Sequence, residues 1–228
     1  DNIDVEYARA KGIRVVNTPA ASSVSVAELV FAHLFSMVRR LDYSNRVMPS
    51  EGLSRFNEIK KYCSDGIELK GKTLGIIGFG RIGQETAKLA FGCGMNVLAY
   101  DPIVNQVDII IHLPETAGSQ RIKIPITTVS KEEILKNADF ISLHVPFNKG
   151  DKPVIGSEEI KQMKKGAGIV NCARGGVVDE AALVAAINEG HIAFAGLDVF
   201  ENEPPTNDIV LKQNKVSLSA HIGASTAE

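Results

Sequence analysis

The chain has 228 residues, of which 44% are apolar and 23% charged, with a formal net charge of −2. That composition is ordinary for a globular protein, and the near-neutral charge gives no electrostatic case for nucleic acid or an anionic membrane surface. The longest apolar stretch, VAELVFAHLFSMV, is broken by Glu28 and His33 and is too short to span a bilayer.

In chain order, GIRVVNTP (12–19) reads as a short strand ending at proline. From Ser22, residues Ala27, Val30, Phe31, Leu34, Val38 and Leu41 recur at steps of three and four, the spacing of a helix. His33 falls inside that apolar pattern and reads as a satisfied core or interface histidine. Residues 42–71 are polar and irregular, a helix continuation followed by an arm. A regular alternation then begins: strand 73–79, helix 81–91, strand 96–101. Residues between Ile103 and Val129 form an insertion with two strand-like pieces, expected as a hairpin on the sheet edge. Helix 131–137, strand 140–146 and helix 157–164 follow, the last with Ser157 as expected N-cap. Strand 168–172, helix 180–190 closed by glycine, and strands 193–200 and 216–221 complete the series. The strands are continuously apolar, so the expected fold is α/β, a doubly wound parallel sheet with helices on both faces.

The three cysteines, Cys63, Cys93 and Cys172, are far apart and contain no C-x-x-C. Disulfide and zinc readings are therefore weak, a reducing cytoplasmic setting is expected, and the five histidines show no metal-ligand spacing. No metal is expected.

GFGRIG (78–83) matches G-x-G-x-x-G. Such a motif is weak alone, but here it follows a strand, opens a helix, and an acid, Asp101, ends the next strand eighteen residues after Gly83. Gly78 permits the tight turn, Gly80 admits a pyrophosphate against backbone, and Gly83 lets helix and strand pack closely. Asp101 can accept both ribose hydroxyls of adenosine and would repel a 2′-phosphate. Pro102 and Ile103 offer no basic replacement, so NAD is expected rather than NADP.

Ligands of a doubly wound sheet sit beyond the carboxyl ends of its strands. Arg174, Asp198 and His221 each end or follow an apolar strand, and Glu203 follows Asp198 in GLDVFENEPP. His221 sits in a strand-end loop (HIGAS), where a carboxylate beside it would orient the ring for proton transfer. Arg174 suits a substrate carboxylate, held by a planar fork. A structural Arg174–Glu203 salt bridge is the competing reading of the same residues.

VNCARGGVVDE, GLDVFENEPP, AHIGAST and GFGRIG together resemble the D-isomer-specific 2-hydroxyacid dehydrogenases, over essentially the whole chain. The resemblance implies an NAD-dependent oxidoreductase acting on a small 2-hydroxy or 2-oxo acid, with 3-phosphoglycerate the expected substrate. Glyoxylate or hydroxypyruvate reduction, or an NAD(H)-sensing corepressor of the same fold, are the alternatives. It implies Arg174, Glu203 and His221 as the catalytic trio. Cys172, Ala173, Arg174, Asp198, His221, Gly223 and Ala224 match nicotinamide contacts, Arg81, Ile82 and Asp101 pyrophosphate and ribose contacts, and Val145 and Pro146 an adenine wall. Gly175 and Gly176 are expected to clear room for nicotinamide and substrate. Residues 1–18 are expected to be a strand-bearing remnant of a flavodoxin-like substrate domain, and 19–228 the NAD-binding domain. The 22–70 helix and arm are the expected homodimer contact. One departure is Ala220, where the family usually has proline before the histidine.

Overall fold

The computed structural model describes residues 3–16, 18, 20–113, 115–148 and 150–227. Six apolar runs, each bounded by a glycine or polar turn, form one parallel sheet. They are β1 (Thr73–Ile77), β2 (Asn96–Tyr100), β5 (Phe140–Leu143), β6 (Ala167–Asn171), β7 (Ile192–Leu197) and β8 (Val216–Leu218). Their spatial order is β2-β1-β5-β6-β7-β8, with every neighbouring pair parallel. The chain leaves β1 to make β2 on one side, then returns to make β5 on the other. That reversal opens a crevice at the carboxyl ends of β1 and β5, where a ligand can enter.

Helices cover both faces. α5 (Lys131–Asn137), α6 (Ser157–Gln162) and α7 (Glu180–Asn188) pack Ile134, Leu135, Ile160, Leu183 and Ile187 against Ile141, Ile169 and Leu197. On the other face, α2 (Ser23–Arg39) and α4 (Arg81–Gly92) bring Val30, Leu34, Ala87 and Ala90 against Leu74, Ile76 and Val170. Each fully buried Leu or Ile contributes about 1.5–3 kcal/mol relative to exposure, which explains why the apolar period of α2 decides its orientation. Leu41, expected on that face, lies beyond the left-handed Arg40 and is exposed. α3 (Leu41–Tyr62) follows, a kinked helix carrying Pro49 and burying only Ile59.

The insertion is a hairpin: β3 (Gln106–His112) pairs antiparallel with β4 (Arg121–Thr127). It forms its own two-stranded sheet, and Ile109 is buried within the same core as α4. Just after β4, Val129 N–H donates to Ala99 O of the edge strand β2 at 2.8 Å.

Two further expectations are corrected. Among the described residues of 12–19 no strand forms; Asn17 and Pro19 lie outside them, and residues 13–16 have no ladder partner among the described residues. Ile13 N–H instead closes the short helix α1 (Val5–Ala10) by donating to Ala8 O at 2.9 Å, and Val16 is left 69% exposed. The N-cap of α6 is Gly156 and not Ser157: the Glu159 carboxylate reaches back to accept Gly156 N–H at 3.0 Å, which satisfies the helix start from inside. Among the described residues no helix is long and apolar enough to cross a membrane.

Candidate active site

The crevice begins at the glycine loop between β1 and α4. Gly78 is left-handed (φ 94°) and donates to Tyr100 O at 2.8 Å; a Cβ there would lie 2.4 Å from His144 O. A Cβ on Gly83 would lie 2.3 Å from Gly78 O, so helix and strand touch through glycine. Gly80 differs. Its φ of −72° suits any residue, and a Cβ there would meet nothing within 4 Å. The fold itself therefore makes no demand for glycine at this position. The open space lies before the first turn of α4, whose N-cap has no side-chain partner and whose first turn carries no acid. That is the place and polarity a pyrophosphate needs. Arg81 opens the helix there and is exposed.

Asp101, just after β2, is drawn into the loop. Oδ2 accepts Phe79 N–H at 2.8 Å, while Oδ1 accepts Ile103 N–H at 2.9 Å and Val104 N–H at 3.0 Å. Partial burial pushes its pKa up, but these three bonds outweigh it and hold the carboxyl below its usual value. Of about four lone-pair positions on a carboxylate, three are taken. The acid thereby braces the glycine loop.

Next to this loop lies a cavity of about 470 Å³. Ile82, Val145, Pro146, Cys172, Ala173, Arg174, Asp198, His221, Gly223 and Ala224 all line it. Gly78, Gly80, Arg81, Gly83 and Asp101 belong to the adjoining loop and strand end. Three residues not singled out from sequence also line the cavity: Ser22, Val26 and His144. His144 is the one that position could have flagged, since it ends the same apolar strand run that leads to Val145. Its Nε2 lies 2.9 Å from Ser142 Oγ and 3.3 Å from Thr86 Oγ1, while Nδ1 is buried with no partner. Burial pushes its pKa down to about 3, so the ring is neutral at working pH. Cys172 is held as a thiol, first by burial and then by the charge of Asp198, which together push its pKa up. It is no nucleophile.

At the far end of the cavity, the loop after β6 presents Arg174. Asn171 braces that loop by donating to Arg174 O at 2.9 Å and accepting Ala173 N–H at 3.1 Å. The guanidinium donates to Ala173 O at 2.7 Å and, among the described residues, pairs with no carboxylate. The competing salt-bridge reading is thus not what forms: Glu203 turns to His221 instead. The glycines after Arg174 also have a packing role that the sequence did not show. A Cβ on Gly175 would lie 1.7 Å from Phe200 O, and one on Gly176 2.4 Å from the Phe147 ring. They let the loop pack closely on its own neighbours, and both also line the second cleft described below.

Glu203 Oε2 lies 2.6 Å from His221 Nδ1, and Oε1 accepts Phe200 N–H at 3.1 Å. An ionised carboxylate only accepts, so Nδ1 carries the proton and Nε2 is left bare to take one. Arg174, Glu203 and His221 also line a second cleft of about 580 Å³, and Arg174 and His221 are common to both spaces. A substrate in the second cleft would thus meet the cofactor cavity at these two side chains. Asp198 is fully buried and binds the loop that carries His221: Oδ1 accepts Ile222 N–H and Oδ2 accepts Gly223 N–H, each at 2.8 Å. Among the described residues no group of three His, Cys, Asp or Glu side chains could hold a metal ion.

Residues 31–223 match the family model described as D-isomer specific 2-hydroxyacid dehydrogenase, NAD binding domain. Hydroxypyruvate reductase of Thermotoga maritima is 44% identical over 231 residues, covering all of this chain and 69% of that protein. D-3-phosphoglycerate dehydrogenase of Methanocaldococcus jannaschii is 45% identical over 228 residues, covering all of this chain and 40% of that protein. Among solved structures, a glyoxylate reductase from Paecilomyes thermophila superposes with a TM-score of 0.77 at 34% identity, over all of this chain and 63% of that one. The chain belongs to the D-isomer-specific 2-hydroxyacid dehydrogenases, oxidoreductases acting on CH–OH groups, and carries their NAD-binding domain. It spans between two fifths and about two thirds of these relatives' length.

Proposed function

We propose that the protein oxidises a D-2-hydroxy acid with NAD⁺, 3-phosphoglycerate being the first candidate substrate, and that Arg174, Glu203 and His221 carry the chemistry. The observation behind this is the pairing at the meeting of the two cavities: a histidine oriented by a carboxylate, and an arginine with no acidic partner among the described residues. Bound NAD⁺ would accept the hydride from the alcohol carbon. His221 Nε2 takes the hydroxyl proton, with Glu203 holding the ring in the required tautomer. Arg174 holds the substrate carboxylate through two parallel N–H bonds, which a lysine could not form. The open front of Gly80, the first turn of α4 and Asp101 hold the pyrophosphate and adenosine ribose, and the acid favours NAD over its 2′-phosphorylated form. Val145 and Pro146 form the adenine wall, and Cys172, Ala173, Asp198, Gly223 and Ala224 enclose the nicotinamide.

A second substrate reading has its own support. Among the described residues that line the second cleft, the carboxylates Asp151, Glu201 and Glu203 outnumber the one guanidinium, Arg174. A substrate phosphate would need cations beyond these described residues, whereas hydroxypyruvate or glyoxylate would need only the one arginine. In the same proposal, residues 1–18 belong to a substrate domain. α2 and α3, which expose Phe35, Leu53 and Phe56, supply a homodimer contact. The deciding experiment compares kcat/KM for 3-phosphoglycerate, hydroxypyruvate and glyoxylate on the full-length protein. A preference of a hundredfold or more for 3-phosphoglycerate supports the first reading, and the reverse preference supports the second.

A further inference from the structure

His33 lies in the middle of α2, outside the cofactor cavity, with its ring against β7. Gly196 makes room for it, since a Cβ there would lie 2.7 Å from His33 Cβ. The ring is buried, with Nδ1 2.9 Å from Ser217 Oγ and Nε2 3.0 Å from Ser219 Oγ. These contacts satisfy the histidine, but they also have a direction. Ser219 Oγ lies 2.5 Å from Asp198 Oδ1, and a carboxylate only accepts, so Ser219 spends its one hydrogen there. Whatever reaches Ser219 from the other side must donate. His33 Nε2 therefore carries the proton, Nδ1 is bare, and Ser217 donates to it. The result is a one-way chain of donors: Ser217 to His33, His33 to Ser219, Ser219 to Asp198. Burial lowers the His33 pKa, partly offset by the charge of Asp198, and a neutral ring is what the chain requires.

The chain ends on the residue that shapes the catalytic loop. Asp198 is fully buried and has no cationic partner among the described residues. Its carboxylate accepts three donors: Ser219 Oγ–H, Ile222 N–H and Gly223 N–H. Its own carbonyl accepts His221 N–H at 2.8 Å. The turn so held places His221 at φ 53°, a left-handed conformation that a histidine adopts only where its surroundings enforce it. If Ser219 were free to rotate, the carboxylate would lose a donor and the turn one of its constraints. We infer that His33 is a positioning residue for the His221 loop, acting through Ser219 to hold the Asp198 carboxylate that clamps residues 221–223. The catalytic consequence rests on the dehydrogenase reading above; the hydrogen-bond consequence does not.

The test has two arms, both on the full-length protein. In the first, ¹⁵N-histidine NMR at about pH 7 reads the His33 tautomer, its signals being those lost in His33→Gln. Protonated Nε2 with bare Nδ1 is expected; a protonated Nδ1 overturns the chain. The second arm measures kcat for the hydroxy acid in wild type, His33→Leu, Ser219→Ala, the double variant and His33→Gln. His33→Leu and Ser219→Ala should each lower kcat about tenfold, and the double variant should fall no further than Ser219→Ala, because the two act as one unit. His33→Gln, whose amide can still donate to Ser219, should recover most of the loss. Additive losses, or a His33→Leu enzyme that is less stable with unchanged kcat, would overturn the inference. If His33→Leu does not fold, Ser219→Ala and His33→Gln/Ser219→Ala make the same comparison: the inference expects equal kcat, and unequal values overturn it. A wild type with no dehydrogenase activity sinks the functional reading, and the tautomer then decides the hydrogen-bond chain by itself.

Discussion

Glu203 and His221 are joined at 2.6 Å while the Glu203 carboxylate is itself anchored by Phe200 N–H, so the ring's orientation is fixed from a second point on the chain. Glu203→Gln tests that arrangement. A glutamine amide can donate to Nδ1 and so stabilise the Nε2–H tautomer, which cannot accept the substrate proton. In the full-length enzyme kcat should fall about 10²- to 10⁴-fold, with NADH affinity little changed by fluorescence titration. A fall of less than a few-fold would remove Glu203 from the catalytic pair.

Arg174 has no internal carboxylate to lose among the described residues, so its replacement should spare the fold. Arg174→Lys is expected to shift stability by less than about 0.5 kcal/mol while lowering kcat/KM about a hundredfold or more through loss of the planar fork. Denaturant unfolding and steady-state kinetics, measured on the same preparation, separate the two effects. A variant that mainly unfolds would restore the structural reading of this arginine.

Gly80 and Gly83 occupy the same motif but should respond in opposite ways. A Cβ on Gly83 would sit 2.3 Å from Gly78 O, and Gly83→Ala should destabilise the fold by about 1–3 kcal/mol through overpacking. Gly80→Ala meets nothing in the protein and should leave thermal stability intact, yet weaken NADH binding about tenfold or more, roughly 1.4 kcal/mol. Unchanged NADH affinity in Gly80→Ala would mean the pyrophosphate lies elsewhere.

The pattern of what could be read from sequence follows from chain distance. The parallel sheet, the glycine loop and the hairpin were legible because each is written in a local run: apolar strands, G-x-G-x-x-G, two alternating segments. Of the ten expected residues that line the cavity, Arg174, Asp198 and His221 were legible from their places at strand ends, and the others only through the family resemblance. What stayed hidden depends on partners far away in the chain. The room that Gly175 and Gly176 make is for Phe200 and Phe147, and His33 is satisfied by serines about 185 residues later. The cap of α6 was misread because Glu159 supplies it from inside the helix, while Ser157 looks like the better cap by type. Residues 13–16 show the limit of an apolar run: without a neighbour to pair with among the described residues, Ile13 and Val16 stay coil and exposed.

Acid should destabilise the protein through its buried histidines. His144 has a folded pKa of about 3 against an ordinary value of 6.5, and that of His33 is also lowered. The unfolded chain then binds more protons than the folded one as pH falls below about 6.5. Stability is therefore full above that value and lost progressively on the way down towards pH 3, by up to about 1.4 kcal/mol per pH unit for His144. His144→Asn should flatten the decline between about pH 6.5 and 4.5 in thermal melts. An equally steep decline in the variant would place the acid sensitivity elsewhere.

The most direct test of the whole account is stereochemical. NADH formation at saturating NAD⁺ is followed with the D and L enantiomers of one 2-hydroxy acid substrate, on the full-length protein and on its His221→Ala variant. The account expects turnover with the D enantiomer only, and its loss by about 10³-fold or more in the variant while NADH still binds. Comparable rates with the L enantiomer, or a variant that retains most of its activity, would contradict it.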